Sequence, residues 1–222
     1  LEVDCGHHRT GVDTADPAAV QLAGSIHASP HLDFAGILTH AGQSYRCGSR
    51  AGADEVARRE RDVMVAFAGR LRAAGIPVGE VSIGSTPTVT AAEDLAGVTE
   101  VRPGNYLFFY AFQAAVGSCR LDEVAFSVRA TVLGAYPERR ELVVNAGALA
   151  LSKDPGPIHV DPSCGFGVVV DPGDQHPIAG LRVVSLSQEH GVLHSDRPLG
   201  HRWQPGTRVR IAASLEEGKA LL

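Results

Sequence analysis

No apolar run in this chain approaches the roughly 20 residues that a helix needs to cross a bilayer, so the sequence offers no membrane-spanning helix. Positive charge is not in excess either. Twenty Lys and Arg stand against 25 Asp and Glu, a net charge of −5, and a nucleic-acid face needs the reverse balance. Acidic and basic residues are mixed, as in Arg58, Arg59, Glu60, Arg61 and Asp62, so no charged tail stands out. Cys5, Cys47, Cys119 and Cys164 form no CxxC pair and no metal-finger spacing, which reads as reduced thiols in a cytoplasmic protein. A secretory leader is also missing. The chain opens on Leu1 in what reads as a strand, and an opening in mid-strand is expected of a fragment. Lysine is scarce, confined to Lys153 and Lys219.

What remains is an ordinary globular composition: 222 residues, 44% hydrophobic and 20% charged, enough for one large or two modest domains with a buried core. The first half alternates strand and helix. Residues 1–5 form a short apolar–polar strand. Asp16 and Pro17 supply an N-cap and a first-turn proline for a helix through Val20, Leu22 and Ile26. Residues 34–39 are the next strand, followed by His40, Ala41 and Gly42. A longer helix carries Val56, Val63, Phe67 and Leu71 on one face and stops at Gly75. Residues 78–83 make a third strand, and Thr90 with Glu93 gives a capping-box pattern for a short helix ending near Gly97. Residues 98–101 form a fourth strand leading into Arg102-Pro103-Gly104, and residues 106–110 continue as an apolar, aromatic run.

Strands separated by helices imply right-handed βαβ units and a parallel sheet. Four such strands are half of an eight-stranded barrel, and an open doubly wound sheet fits the same pattern. A half-barrel alone would expose two unpaired edges and an apolar inner face. The second half changes character. Residues 125–134 and 141–146 are β-rich and joined by the hairpin-like Pro137-Glu138-Arg139-Arg140. Residues 166–170, 181–186 and 208–211 are further strands between Pro, Gly and Asp turns, with no useful helical period before the Glu216–Lys219 tail. The expected boundary lies at residues 119–122, between a βα domain over 1–120 and an antiparallel β domain over 121–222.

Ligands of a parallel βα domain sit at the C-terminal ends of its strands, where four unusual segments fall. In the first, DCGHHRTG, adjacent His7 and His8 diverge on a loop and make a poor metal pair, while Arg9 suits an anion or phenolate partner or a solvated surface. The second, HAGQSY, crowds the ring of His40, the Gln43 amide and the Tyr45 phenol, or is a loop packed by its own side chains. The third, GSTPT, offers Gly84, Ser85 and Thr86 either to a phosphate or to an ordinary N-cap. The fourth, RPGNY, lets backbone at Gly104 and Asn105 approach a ligand, or is a plain Pro-Gly turn. Two phosphate-friendly turns on adjacent strand ends suggest one phosphate cradle. In the β domain, NAGALALSKD and SQEHG concentrate small and polar residues, and Lys153 is either a nucleophile or a solvated turn residue.

The stretches EVDCGHHRTGV, FAGILTHAGQSY, SIGSTPTV, EVRPGNYLFFY, VVNAGALALSKDPG and SLSQEHG, in this order, resemble the D-serine dehydratase and D-threonine aldolase family, fold-type-III relatives of alanine racemase. The resemblance implies the second half of a TIM-type barrel that binds pyridoxal 5′-phosphate (PLP), followed by an antiparallel β domain. It implies that Gly84, Ser85, Thr86 and the backbone of Gly104 and Asn105 hold the PLP phosphate. Arg9 would stand near the phenolic oxygen, His40 beside the ring, Arg102 toward the pyridine nitrogen, and Gln43 and Tyr45 on the substrate side.

Two departures stand out. The family's Schiff-base lysine belongs to a PHxKTHK-like motif, and neither Lys153 nor Lys219 lies in one, so the chain has no matched catalytic residue. Its metal ligands, for zinc or a similar divalent ion, belong to a PNHxC-like segment, where this chain reads Ala212-Ala213-Ser214-Leu215-Glu216. The implied function is a PLP-dependent lyase of β-hydroxy D-amino acids, homodimeric when full length and with little or no activity as this fragment. The alternatives are a degenerate, non-catalytic PLP-binding module and a metal-free amino-acid racemase.

Overall fold

The computed structural model describes residues 1–173 and 176–214, in two compact units, Leu1–Gly104 and Asn105–Leu222. In the first unit, helix α1 (Pro17–Ala28) begins where Asp16 accepts the Ala18 N–H, with Pro17 in its first turn. Helix α2 (Arg50–Ala73) is capped by Ser49, and its buried stripe runs Ala53, Ala57, Glu60, Met64, Phe67 and Leu71, spaced by three and four. Gly75, at φ +82°, ends it in the left-handed region that glycine adopts without strain.

Strands β1 (Gly36–Leu38), β2 (Glu80–Ile83) and β3 (Glu100–Val101) form a parallel sheet in that order. Ile37, Val81 and Ile83 pack with Met64, Phe67 and Leu71 in one apolar core. Residues 1–5 lie beside β1, where Val3 N–H donates to Leu38 O at 2.8 Å and Leu38 N–H to Leu1 O at 3.0 Å. They form only isolated bridges, because Asp4 N–H turns away to Val12 O. A short helix is present near residue 90, but the expected Thr90 cap is incorrect. Helix α3 spans Thr86–Ala91 and is capped by Ser85, whose Oγ accepts the Thr88 N–H, while Thr90 bonds back to Thr86 O. The aromatic run after residue 105 is not extended either: Asn105–Leu107 makes a 3-10 turn, and helix α4 (Ala111–Ala115) follows.

The second unit closes on itself. Strands β4 (Val128–Tyr136), β5 (Glu141–Val144), β6 (Gly167–Val170), β7 (Pro177–Leu186), β8 (Gly191–Ser195) and β9 (Arg208–Ala213) form an antiparallel barrel in the order β4-β5-β8-β7-β6-β9. β9 pairs back onto β4, from Val128 opposite Ile211 to Thr131 opposite Arg208. The turn between β4 and β5 is a short 3-10 segment ending at Arg140 with φ +54°. Val132, Leu142, Val144, Val169, Val183, Leu193, Val209 and Ile211 fill the interior. The sequence pattern had not signalled β8, α4 or the four-residue helix α5 (Ala148–Leu151). The expected helical period near Glu216 lies outside the described residues. No helix among the described residues is long and apolar enough to cross a membrane.

Closure makes the two faces of neighbouring strands unequal. Leu142→Ala, at 0% exposure in the barrel interior, should cost about 2–5 kcal/mol of stability, read from the urea midpoint. Leu133→Ala, on an outward position of β4, should cost less than about 0.5 kcal/mol. Equal losses would mean that the barrel does not close in solution.

Candidate functional site

The strand ends of the first unit carry the chemistry. After residue 5 the chain turns around Asp4, whose Oδ1 accepts the N–H of Gly6 (2.8 Å) and His8 (3.0 Å) and whose Oδ2 pairs with His8 Nδ1 at 2.7 Å. Partial desolvation acts upward on this carboxyl, but the His8 and Gly6 amides and the His8 ring outweigh it and bring its pKa down to about 2. The turn places His7 against Gly42, where an added Cβ would lie 2.4 Å from the imidazole Nε2. The His7 and His40 rings meet edge-on, centroids 5.9 Å apart, and Tyr45 stands 6.2 Å from His40. Arg9 is exposed on this loop and makes no hydrogen bond or ion pair with any described residue.

At the end of β1, Thr39 Oγ1 donates to Val3 O at 2.6 Å. His40 Nδ1 lies 3.0 Å from Gly84 O; a carbonyl can only accept, so Nδ1 carries a proton. Gln43 Nε2 donates to Cys5 O at 3.2 Å, and Gln43 Oε1 is buried without a hydrogen-bond partner among the described residues. Ser44 and Tyr45 are buried in the following 3-10 turn.

The loop after β2 is buried throughout. Gly84 has φ +141°, and an added Cβ would fall 2.8 Å from Arg102 N, so only glycine fits. Its N–H donates to Glu60 Oε1 at 3.0 Å. Ser85 Oγ is 2.7 Å from Ser44 Oγ and 3.0 Å from Thr88 Oγ1, and Ser85 N–H donates to Thr88 Oγ1 at 3.2 Å. Thr86 is 0% exposed. Beyond β3, Arg102 Nε donates to Ser82 Oγ at 2.6 Å, its guanidinium reaches Thr39 O, and Glu100 lies 3.6 Å away. A hollow of about 270 Å³ is lined by Phe34, Leu38, Ser82, Glu100 and Arg102 on this sheet's other face. Gly104 has nothing within 4 Å of where a Cβ would stand, so its backbone is open to a ligand. Asn105, 5% exposed, heads the second unit, where its carbonyl accepts the Phe109 N–H.

The structure therefore gathers Arg9, His40, Gln43, Tyr45, Gly84, Ser85, Thr86, Arg102 and Gly104 at the strand ends of the first unit. It adds His7, Ser44, Thr88 and Glu60, which the motifs alone had not singled out as ligands. The phase of α2 was the one available signal for Glu60, since position 60 falls on its apolar stripe.

In the second unit, Gly147 fits against Gln188 O and His190 N, where a Cβ would lie 2.4 and 2.5 Å away, and Ser187 O accepts the Ala148 N–H. The segments NAGALALSKD and SQEHG are thereby knitted together, with Lys153 exposed beside them. Among the described residues no group of three or more His, Cys, Asp or Glu side chains could hold a metal ion.

The donor set suits a phosphorylated aromatic cofactor. It offers a hydroxyl-lined glycine loop, an unpaired arginine, an imidazole held through its Nδ1–H and the unpartnered Gln43 Oε1. It lacks an amine, since Lys153 and Lys219 both belong to the second unit.

Residues 1–111 match the alanine racemase N-terminal domain, and residues 125–214 match a serine dehydratase domain. The D-threo-3-hydroxyaspartate dehydratase of Delftia sp. (strain HT23) is 38% identical over 217 residues, covering 95% of this chain and 57% of the relative. Its solved structure superposes with a TM-score of 0.90, over 97% of this chain and 58% of that one. The D-serine dehydratase of Dictyostelium discoideum is 35% identical, over 95% of this chain and 55% of the relative. The D-threonine aldolase structure from Filomicrobium marinum is 26% identical with a TM-score of 0.75, over 97% of this chain and 54% of that one. The chain thus spans about half the length of the curated relatives it matches.

The turn around Asp4 gives a pH test. Because the folded-state pKa lies below the ordinary value of about 3.9, the carboxylate adds stability above that value and loses it as pH falls toward about 2. A carboxyl NMR titration should place the Asp4 midpoint near 2, and His8→Ala should raise it. A wild-type midpoint near the ordinary value would remove this turn from the structure in solution.

Proposed function

Because the chain belongs to the PLP-dependent alanine racemase-like family, in the branch that carries a serine dehydratase domain, we propose that it is the cofactor-holding and β-domain part of a lyase acting on β-hydroxy D-amino acids. The observation that carries this reading is the pair of bonds joining two strand ends, His40 Nδ1–H to Gly84 O and Ser44 Oγ to Ser85 Oγ. They bring the HAGQSY and GSTPT segments into one rigid wall.

In this reading Gly84, Ser85, Thr86 and the backbone of Gly104 and Asn105 hold the PLP phosphate. Arg9 lies beside the phenolic oxygen, Arg102 toward the pyridine nitrogen, and Gln43 and Tyr45 on the substrate side. His40, with Nδ1–H committed to Gly84, stands beside the ring. When bound, PLP supplies an electron sink for the carbanion at the substrate Cα. The first unit orients it, shields it and neutralises its phosphate, but contributes no amine. The divalent ion of the family finds no ligand group among the described residues. The complete protein acts as a homodimer in this proposal, and this chain alone has little or no turnover.

The absence of a lysine from the first unit favours one second reading, a PLP-binding module without catalysis. The two separate in one experiment on the purified chain with added PLP, followed by absorbance and by release of pyruvate from D-serine or glycine from D-threonine. We expect reversible PLP uptake, weakened about tenfold or more by joint Ser85→Ala and Thr86→Val, and no product. Adding, as a second polypeptide, the part of the Delftia relative that this chain does not span should then give product if the lyase reading holds. PLP uptake without product in that mixture would favour the module. Failure to take up PLP would sink both readings, and turnover by the chain alone that Arg9→Ala abolishes would overturn the expected inactivity.

A further inference from the structure

Beneath the wall of the site lies a group that has no role so far. Glu60, on the buried stripe of α2, is 0% exposed. Its Oε1 accepts the Gly84 N–H at 3.0 Å, and its Oε2, equally buried, has no hydrogen-bond partner among the described residues. The other members of the stripe, Ala53, Ala57, Met64, Phe67 and Leu71, are apolar, so packing alone gives no reason for a carboxyl there.

Groups from every surrounding element act on it: the Ala41 N–H after β1, the Thr88 hydroxyl in α3, Arg102 after β3 and Cys5 from the first segment. Removing a carboxyl from water disfavours its ionised form unless partners compensate. Burial pushes the Glu60 pKa up, while the Gly84 hydrogen bond, the neighbouring Thr88 hydroxyl and Ala41 amide and the Arg102 charge pull the other way.

We propose that Glu60 is a positioning residue, whose carboxyl holds the loop 84–88 and the end of β1 in the arrangement that receives the cofactor phosphate. This rests on the PLP reading above. By taking the Gly84 N–H, Glu60 ties to α2 the residue whose carbonyl, in the next peptide, meets His40. The same anchor seats Ser85 against Ser44 and Thr88. Support of this kind keeps a binding loop in one geometry before the ligand arrives.

The test uses the 222-residue chain with Glu60→Gln and Glu60→Leu. Glutamine keeps an acceptor for Gly84 and stays neutral, whereas leucine fills the volume and keeps neither polar group. Two readouts are taken, amide hydrogen exchange without ligand and PLP affinity by titration. We expect Glu60→Gln to stay within about threefold of wild type in both. Glu60→Leu should speed exchange at the Gly84 amide and weaken PLP about tenfold or more, with exchange in α1 unchanged. A purely structural role would instead loosen α1 along with the loop and would not be rescued by glutamine. PLP affinity of Glu60→Leu equal to wild type, or loss in Glu60→Gln as large as in Glu60→Leu, would overturn the proposal. If leucine unfolds the unit, seen as lost α1 protection, the Glu60→Gln affinity alone decides. Wild-type chain that takes up no PLP would instead fail the cofactor reading, and the proposal with it.

Discussion

The strand ends of the first unit are tied together at one residue, Gly84. Its N–H goes to Glu60 on α2, its carbonyl takes the Nδ1–H of His40, and its left-handed φ brings its Cα too close to Arg102 for any side chain. The strands it joins span only three, four and two residues, so few ladder bonds fix their relative height. Side chains supply what the ladder lacks: Thr39 to Val3 O, Arg102 to Ser82 and Thr39 O, Ser44 to Ser85. The polar network that offers a ligand its contacts is also the one that aligns the sheet. Shape and chemistry of the site are therefore not separable, and a substitution that loosens one loosens the other.

The second unit solves backbone pairing differently. Its six strands close, so each has a partner on both sides, and the interior is filled by alternate residues such as Val132 and Leu142. In the first unit, β3 has a strand partner on one side only among the described residues, and Leu38 and Val101 are each 38% exposed. Apolar burial carries the barrel, while the parallel sheet leans on its α2 core and on the polar network.

Helices α1 and α2 were legible because local signals agreed with tertiary packing: Asp16-Pro17 at one start, the apolar stripe and Gly75 at the other end. The parallel strands were legible as short apolar runs between them. Helix α3 was misread because two caps compete within STPTVTAAE. Thr90 with Glu93 matches the stronger box, yet the stretch after it carries one large apolar residue, Leu95, which stays 39% exposed. Ser85 wins because Pro87 fits a first turn and Thr88 returns the bond. The barrel strand β8 escaped because five residues beginning at a glycine carry little periodicity. At the site, the loop residues stood out by composition, but Glu60 sat inside Arg-Arg-Glu-Arg-Asp, a mixed-charge run that singled out none of its members. A charged run hides its one buried member unless the helix phase is followed through it.

Without a lysine in the first unit, the contacts that this unit offers a cofactor are non-covalent, and their strength depends on preorganisation. The hydroxyls of Ser44, Ser85 and Thr88 already satisfy one another, so they do not wait as unpaired buried donors whose cost would destabilise the fold. Under the proposed function, an arriving phosphate would exchange some of those bonds for charge-assisted ones of about twice the strength, a gain that exists only if the loop does not have to reorder. Fixing the loop from behind, through a helix and not through the ligand, is what keeps that gain from being spent on ordering.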